Sequence, residues 1–346
     1  MTQTFYTLED LHRWNEIAPT LDPPARLAVI GDPIAHSRSP QMHNPALRAC
    51  GIDAQYIRVQ VPVGRVAEAF GLFAEHGFLG VNCTIPHKFE ALAAMHEVDS
   101  LARQLGAVNT VVIRDGKLKG FNSDGPGFLR SVEESFGRRV NELKVLILGA
   151  GGGAGRAVAV QCALEGCAEV YLCNRTIDKL SGMTPELKAS LAKVGEYDVI
   201  FRDAVVSVAP QSDDSAVLRK ADFPGLDLLI SAALKTKLRF VAWNDDALAR
   251  VLTDVDLIVN ATPLGMKADD APLFDLRLLQ PRHLVYDMVY ASGRSTPLIA
   301  TAQNVRAKTC DGLVLLLHQG AISFEHWFEQ LAPIKVMREG LSGEME

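Results

Sequence analysis

Cysteine is scarce and unpatterned in this sequence. Six residues (Cys50, Cys83, Cys162, Cys167, Cys173 and Cys310) are scattered along 346, with no C-x-x-C and no spaced histidine pair beside them. Such spacing argues for reduced thiols rather than a zinc site or a disulfide framework, so neither metal nor disulfide is expected. Long apolar runs are missing too, and with them any candidate for a membrane-spanning helix. The opening stretch, MTQTFYTLEDLHRWNEIAPTLDPP, is polar and acidic and lacks the apolar centre of a signal peptide, which points to the cytoplasm. Positive charge is in deficit. With 35 Lys and Arg against 41 Asp and Glu, the net charge of −6 leaves no footprint for nucleic acid or a membrane surface. The expected partner is a small molecule, with the chain a monomer or homodimer.

What is present is ordinary globular material, 48% hydrophobic and 22% charged, of a length that suggests two domains. From residue 26 onward, β-rich runs alternate with amphipathic helical stretches. Residues 26–31 (RLAVIG), 56–61 (YIRVQV) and 78–84 (FLGVNCT) read as strands, with helical patterns at 40–50, 63–76 and 89–95. Runs 108–113 and 117–121 flank Asp115-Gly116, a hairpin signal, so the first block reads as a parallel sheet with an antiparallel element at one edge. After a helix at 127–136, the run KVLIL (144–148), a glycine cluster, a helix at 154–165 and EVYLC (169–173) open a second block. Further strands at 256–259 and 283–286, a helix near 296–303 and a long apolar helix at 313–331 follow. This repetition implies a doubly wound α/β fold. The stretch 181–237 carries two apolar runs, 197–201 and 226–234, but no placeable motif. Its length calls for secondary structure of its own.

Gly149, Ala150, Gly151, Gly152, Gly153, Ala154 and Gly155 lie between a strand and a helix. Glycines there permit the tight turn and close backbone approach that a pyrophosphate needs, and the helix N-terminus offers N–H groups to the anion. Gly149, Gly151 and Ala154 fit G-x-G-x-x-A, with the register open by one residue and a plain structural turn the alternative. The next strand ends Cys173-Asn174-Arg175-Thr176, with Lys179 a turn later. An NAD enzyme usually carries a carboxylate at that point for the ribose 2′-hydroxyl. Arg175 can instead fork onto a 2′-phosphate and Lys179 adds charge, which favours NADP over two merely solvated cations.

Four polar clusters mark element ends in the first block. Ser37 and Ser39, at a loop-to-helix junction, can either cap the helix or aim two hydroxyls at one small anion. Asn82-Cys83-Thr84-Ile85-Pro86-His87-Lys88, Gly106-Ala107-Val108-Asn109-Thr110 and Gly120-Phe121-Asn122-Ser123-Asp124 each pass for a turn alone. Together they mark a site.

The succession S-x-S-P, N-x-T-x-P-x-K, G-A-V-N-T, G-x-N-[ST]-D, G-A-G-G and N-R-T, then Asn260-Ala261-Thr262-Pro263-Leu264-Gly265-Met266, Asp287-Met288-Val289-Tyr290 and Asp311-Gly312, resembles the shikimate/quinate dehydrogenase family from about residue 26 to 334. The resemblance implies NADPH-dependent reduction of 3-dehydroshikimate to shikimate, on the route to chorismate and the aromatic amino acids, or a quinate/shikimate enzyme using NAD or NADP. It implies that Ser37 and Ser39 hold the substrate carboxylate. Thr84, Asn109, Asp124 and Gln319 would bond the ring hydroxyls, and Lys88 and Asp124 would form the catalytic pair. Gly149, Ala150, Gly151, Gly152, Gly153 and Ala154 would take the phosphates, and Asn174, Arg175, Thr176 and Lys179 would surround the 2′-phosphate. Met288, Tyr290 and Gly312 would lie by the nicotinamide. It further implies a substrate domain at 26–125 completed by a returning helix at 313–334, and an NADP domain at 126–312. Residues 1–25 would be an extension and 181–237 an insertion. Cys83 stands where Val is more usual, Ser123 where Thr is, and the glycine loop is one residue longer. A catalytically silent relative that only binds a metabolite is the rival of another class, and the intact Lys88 and Asp124 argue against it.

Overall fold

The computed structural model describes residues 5–175, 196–202, 205–210, 216–218, 236–267, 269–290 and 294–343. The chain divides into two compact units, Met1–Gly127 with Leu316–Glu346, and Phe128–Leu315.

The first unit is built from β1 (Tyr6–Thr7), α1 (Leu8–His12), α2 (Trp14–Ile17), β2 (Ala25–Gly31), α3 (Ser39–Ala49), β3 (Gln55–Gln60) and α4 (Val66–Glu75). It continues with β4 (Gly80–Cys83), α5 (Lys88–Ala93), β5 (Glu97–Val98), α6 (Ser100–Leu105), β6 (Thr110–Arg114), β7 (Lys117–Phe121) and the start of α7 (Asp124–Phe136). Its seven strands run in the order β1-β3-β2-β4-β6-β7-β5. The first four are mutually parallel, and β6 is antiparallel to both β4 and β7. The hairpin turn is of the primed kind that matches strand twist, because Asp115 and Gly116 both have positive φ, 50° and 72°. The hairpin is not the sheet edge, however. β5 pairs outside it, parallel to β7.

The segment read as an extension is part of this unit. Thr7 caps α1 reciprocally with Asp10, and Leu8, Leu11 and Trp14 recur every third residue on one face, buried in the core cluster beneath α4. Each fully buried large apolar side chain contributes roughly 1.5–3 kcal/mol, enough to hold a short polar-looking segment in place.

The second unit holds β8 (Lys144–Leu148), α8 (Gly153–Leu164), β9 (Glu169–Cys173), β10 (Glu196–Arg202), β11 (Val205–Pro210), β12 (Ala216–Leu218) and β13 (Lys237–Val241). After these come α9 (Asp245–Leu252), β14 (Leu257–Asn260), β15 (Leu284–Asp287), α10 (Pro297–Asn304), β16 (Lys308–Cys310) and the start of α11 (Gly312–Phe328). The order β13-β9-β8-β14-β15-β16, parallel throughout, is the 3-2-1-4-5-6 arrangement of a dinucleotide-binding sheet. The unplaced stretch supplies β10, β11 and β12, an antiparallel extension laid on the outer edge of β13. Its first apolar run falls in β10. The second, 226–234, lies outside the described residues.

Beyond α11 lies α12 (Ile334–Ser342), a helix that the sequence reading, whose last helix ended at 331, did not include. Met337 and Leu341 of α12 join the cluster around Met42, Tyr56, Phe324 and Trp327. Arg38 donates to the Leu341 carbonyl, which ties α12 to the loop that begins α3.

Candidate active site

In the first unit, the loops at the C-terminal ends of the parallel strands carry the motif residues. Lys88 opens α5, four residues beyond the Thr84 turn, and Asp124 opens α7. The Lys88 Nζ donates to Asp124 Oδ2 over 2.7 Å, with side-chain exposures of 18% and 9%. Asn109 Nδ2 donates to the other carboxylate oxygen at 2.8 Å. The direction of that amide is fixed, because the Ser123 backbone N–H donates to Asn109 Oδ1 at 2.8 Å. Asp124 is therefore gripped on both oxygens, and its own N–H is taken by Asn122 Oδ1 at 3.0 Å. Such a half-dry ammonium–carboxylate pair, open on one side, can hold or move a proton at Nζ.

A buried polar network stands behind this pair. Asn82 Nδ2 donates to the Asn109 carbonyl at 3.0 Å, to Thr110 Oγ1 at 3.2 Å and to Ser323 Oγ at 2.9 Å, while its Oδ1 accepts from the Tyr56 hydroxyl at 2.8 Å. Ser323 in turn donates to the Gln319 carbonyl, and Ser123 Oγ reaches Gln319 Oε1 at 3.4 Å. Gln319 thus stands beside the Asn109–Asp124 group, one helical turn before Ser323. Asn82, Tyr56, Thr110 and Ser323 were given no role from sequence. Asn82 had a signal, its place in N-x-T-x-P-x-K; Ser323 had only the i+4 spacing from Gln319.

Ser37 and Ser39 lie at the entry to α3. The helix N-cap is Arg38, without a side-chain cap, and the one capping-type bond to a serine is Ser39 N–H to Ser37 Oγ at a long 3.4 Å. The two hydroxyls meet at 3.2 Å, and Arg58 Nε holds the Ser37 carbonyl at 2.7 Å. Paired hydroxyls with little capping work favour the anion reading over the capping one. Thr84 turns against the strand β2 end: a Cβ on Gly31 would sit 2.7 Å from Thr84 Cγ2, so the glycine makes room for the threonine.

The second unit brings the glycine cluster to the end of β8. Gly149, at φ 87°, leaves no room for a side chain: a Cβ there would lie 2.6 Å from Thr262 Cγ2. The N–H groups of Gly149 and Ala150 both go to the Cys173 carbonyl, tying the turn to the β9 end. The close helix–strand approach falls on Gly155, not Ala154, since a Cβ on Gly155 would lie 2.9 Å from Ala150 Cα and overlap the Gly149 carbonyl. The extra loop residue displaces the fingerprint by one position. α8 begins at Gly153 with Gly152 as an uncapped N-cap. At the β9 end Asn174 is buried and Arg175 exposed, with no carboxylate beside them in sequence; Thr176 and Lys179 lie outside the described residues. A small-residue cradle at a helix N-terminus followed by an arginine fits a phosphorylated dinucleotide.

Met288 and Tyr290 follow β15, and Gly312 opens α11 against them: its N–H donates to the Val289 carbonyl at 3.3 Å. The turn after β15 is anchored by Asp287, fully buried, whose carboxyl is pushed up to about 6 by burial against the opposing pull of bonds from Thr296, Val289 and Asn260. Among the described residues no cluster of three or more His, Cys, Asp or Glu could hold a metal ion, and no helix is long and apolar enough to cross a membrane.

A 3-2-1-4-5-6 sheet with this glycine turn, in a chain whose other unit presents a lysine–aspartate pair, defines a nicotinamide-nucleotide oxidoreductase of two α/β units. Comparison with known proteins narrows the class. The family description "Shikimate dehydrogenase substrate binding domain" matches residues 29–111, and "Shikimate 5'-dehydrogenase C-terminal domain" matches 312–340. Shikimate dehydrogenase (NADP(+)) of Symbiobacterium thermophilum is 37% identical over 92% of this chain and 94% of its own length. That of Methanopyrus kandleri is 35% identical over 91% and 94%. The solved shikimate 5-dehydrogenase of Thermus thermophilus, in complex with NADP(H) and shikimate, superposes with a TM-score of 0.69 at 28% identity, over 93% of this chain and all of that one. The chain belongs to the shikimate dehydrogenase family.

Proposed function

We propose that this protein catalyses the reversible NADPH-dependent reduction of 3-dehydroshikimate to shikimate, in the cytoplasm. The observation that carries the reading is the Lys88–Asp124 pair at 2.7 Å with Asn109 on the second carboxylate oxygen, in a chain of this family. Ser37 and Ser39 donate to the substrate carboxylate. Thr84, Asn109, Asp124 and Gln319 engage the ring hydroxyls and so orient the ketone towards Lys88. NADPH, when bound, supplies the hydride. As negative charge grows on the carbonyl oxygen, the Lys88 ammonium stabilises it and transfers its proton, leaving a neutral amine next to Asp124. In the oxidation direction the neutral amine takes the hydroxyl proton back, and Asp124 stabilises the ammonium that forms. The quinate-type reading is not favoured, because the relatives at 35–37% identity carry the NADP(+) shikimate name. The direct test is NADPH consumption by the pure protein with 3-dehydroshikimate. Absence of turnover would leave a metabolite-binding protein, and equal use of quinate with NAD would restore the alternative.

Two variants probe the two ends of this assignment. Ser37→Ala with Ser39→Ala removes both hydroxyls facing the carboxylate. Two hydrogen bonds to a charged group contribute about 1.5–3 kcal/mol each, so KM for the substrate rises by roughly a hundredfold or more. An analogue without the carboxylate shows little difference between variant and parent; normal shikimate binding by the double variant would refute the role. Arg175→Ala removes the one described cation at the β9 end. The kcat/KM for NADPH falls about tenfold or more, while that for NADH barely moves. An unchanged preference between the two nucleotides would take Arg175 out of the 2′-phosphate site.

A further inference from the structure

The sequence motifs around Asn260 and Asp287 are long, yet the family resemblance gives a role only to Met288 and Tyr290 within them. Between these motifs lies a buried polar trio. Asp287 Oδ1 accepts from Asn260 Nδ2 at 2.8 Å and from the Val289 N–H at 3.3 Å, and Oδ2 accepts from the Thr296 hydroxyl at 2.6 Å. Asn260 and Asp287 are fully buried and Thr296 nearly so. No cation pairs with the carboxylate among the described residues. Another carboxylate, Asp311, acts on it and disfavours its ionised form. A buried carboxylate without a counter-ion is costly, and a residue needed merely to fill the space would not be ionisable.

What the trio holds is three loops. Asn260 Oδ1 accepts from the Thr262 N–H and hydroxyl at 3.0 and 2.7 Å, and its Nδ2 also reaches the Leu264 carbonyl at 3.0 Å, so it shapes the turn after β14. Thr262 from that turn packs against Gly149, the first glycine of the phosphate cradle. The Val289 N–H bond shapes the turn after β15 that carries Met288 and Tyr290, and that turn abuts Gly312: a Cβ on Gly312 would lie 2.9 Å from the Met288 carbonyl carbon. Thr296 caps α10 through the Ile299 N–H. One carboxylate therefore sets the cradle side, the Met288 turn and the α10 start against each other.

We propose that Asp287 is a positioning residue for the nicotinamide end of the bound dinucleotide, acting through Asn260 and Thr296. It accepts three hydrogen bonds on two oxygens, which neither an amide nor a hydroxyl can do without inverting one partner. The proposal rests on the NADPH-binding reading above, and direct binding separates the two. If the parent protein fails to bind NADPH by fluorescence titration, that reading falls. If the parent binds NADPH and the variants match it, the positioning role falls.

The experiment compares Asp287→Ala, Asp287→Asn and Thr296→Val in the full chain. Losing a buried hydrogen-bond acceptor of this kind shifts affinity by about tenfold or more, so Asp287→Ala raises the Kd and KM for NADPH by that factor. KM for 3-dehydroshikimate changes by less than about twofold, since only cofactor affinity is weakened. Asp287→Asn, which retains the acceptor for Asn260, falls between Ala and the parent. Thr296→Val leaves the carboxylate in place and guards against a misfolded Asp287→Ala. It must raise the NADPH constants alone, in the same direction. Unchanged NADPH constants in Thr296→Val, or equal rises for both substrates in Asp287→Ala, would overturn the proposal.

Discussion

Lys88→Met lowers kcat for 3-dehydroshikimate reduction by roughly 10²–10⁴-fold, the range for removing a positioned acid–base group, with a smaller change in KM. Methionine matches the lysine stem and lacks the proton. Asp124 then keeps Asn109 on one oxygen and loses its cation on the other. Lys88→Ala behaves alike, because the proton and not the packing is missing. In the parent, shikimate oxidation needs the neutral amine as base and reduction needs the ammonium as acid; both variants lose the two roles together, so kcat falls in both directions. If Lys88 merely held the ligand, KM would rise with kcat nearly intact; steady-state kinetics of the two variants across pH distinguishes these cases. A variant with the parental kcat at any pH would remove Lys88 from the chemistry.

The second large effect is on stability. His43 of α3 is wholly buried, its ring stacked on Tyr56 at 4.5 Å and 5.2 Å from Trp327, and neither ring nitrogen has a partner among the described residues. Burial pushes its pKa down to about 3 from the ordinary 6.5. Below about pH 6.5 the unfolded chain takes up a proton that the folded chain refuses until near pH 3. The unfolded state therefore binds more protons throughout that window, and stability falls as pH falls. At about 1.4 kcal/mol per unit, this one group withdraws roughly 3 kcal/mol by pH 4 and 4–5 kcal/mol by pH 3. His43→Leu, close in volume and without a proton to bind, removes that slope. Urea unfolding of parent and variant from pH 4 to 8, followed by tryptophan emission, measures the difference. Parallel acid limbs would show that His43 is not the group responsible.

The elements legible in the sequence were those with a strong local period. The runs ending at Gly31, Leu148 and Cys173 became central parallel strands because a strand buried on both faces reads as an unbroken apolar run. Asp115-Gly116 was legible because few other residue pairs adopt two positive φ values in succession. The N-terminal segment was read only as an extension; the signal of its packing was the threefold spacing of Leu8, Leu11 and Trp14. The stretch before β13 was illegible as to placement, since an antiparallel edge addition depends on partners distant in the chain. In the site, the residues bearing charge or standing in motifs were visible, while Ser323 and Tyr56 act through tertiary bonds that no local pattern encodes. The glycine register stayed open by one position in the sequence, because a run of glycines carries no mark of which one faces the strand, and the close approach falls on Gly155.

α11 and α12 return to a unit whose other residues all precede position 128. Trp327 fills the space that a side chain on Gly80 would occupy and donates to the Val111 carbonyl at 3.0 Å, and Ser323 closes the bonding of Asn82. During synthesis the ribosome therefore releases the substrate-binding half first but completes it last. The sheet face later covered by Phe324, Trp327 and Met337 stays open while the whole nucleotide-binding half emerges. At about 5–20 residues per second, the nearly 190 intervening residues take on the order of ten seconds or more. For that interval the nascent chain presents an apolar surface that a chaperone can occupy, and the second half can fold before the first is finished.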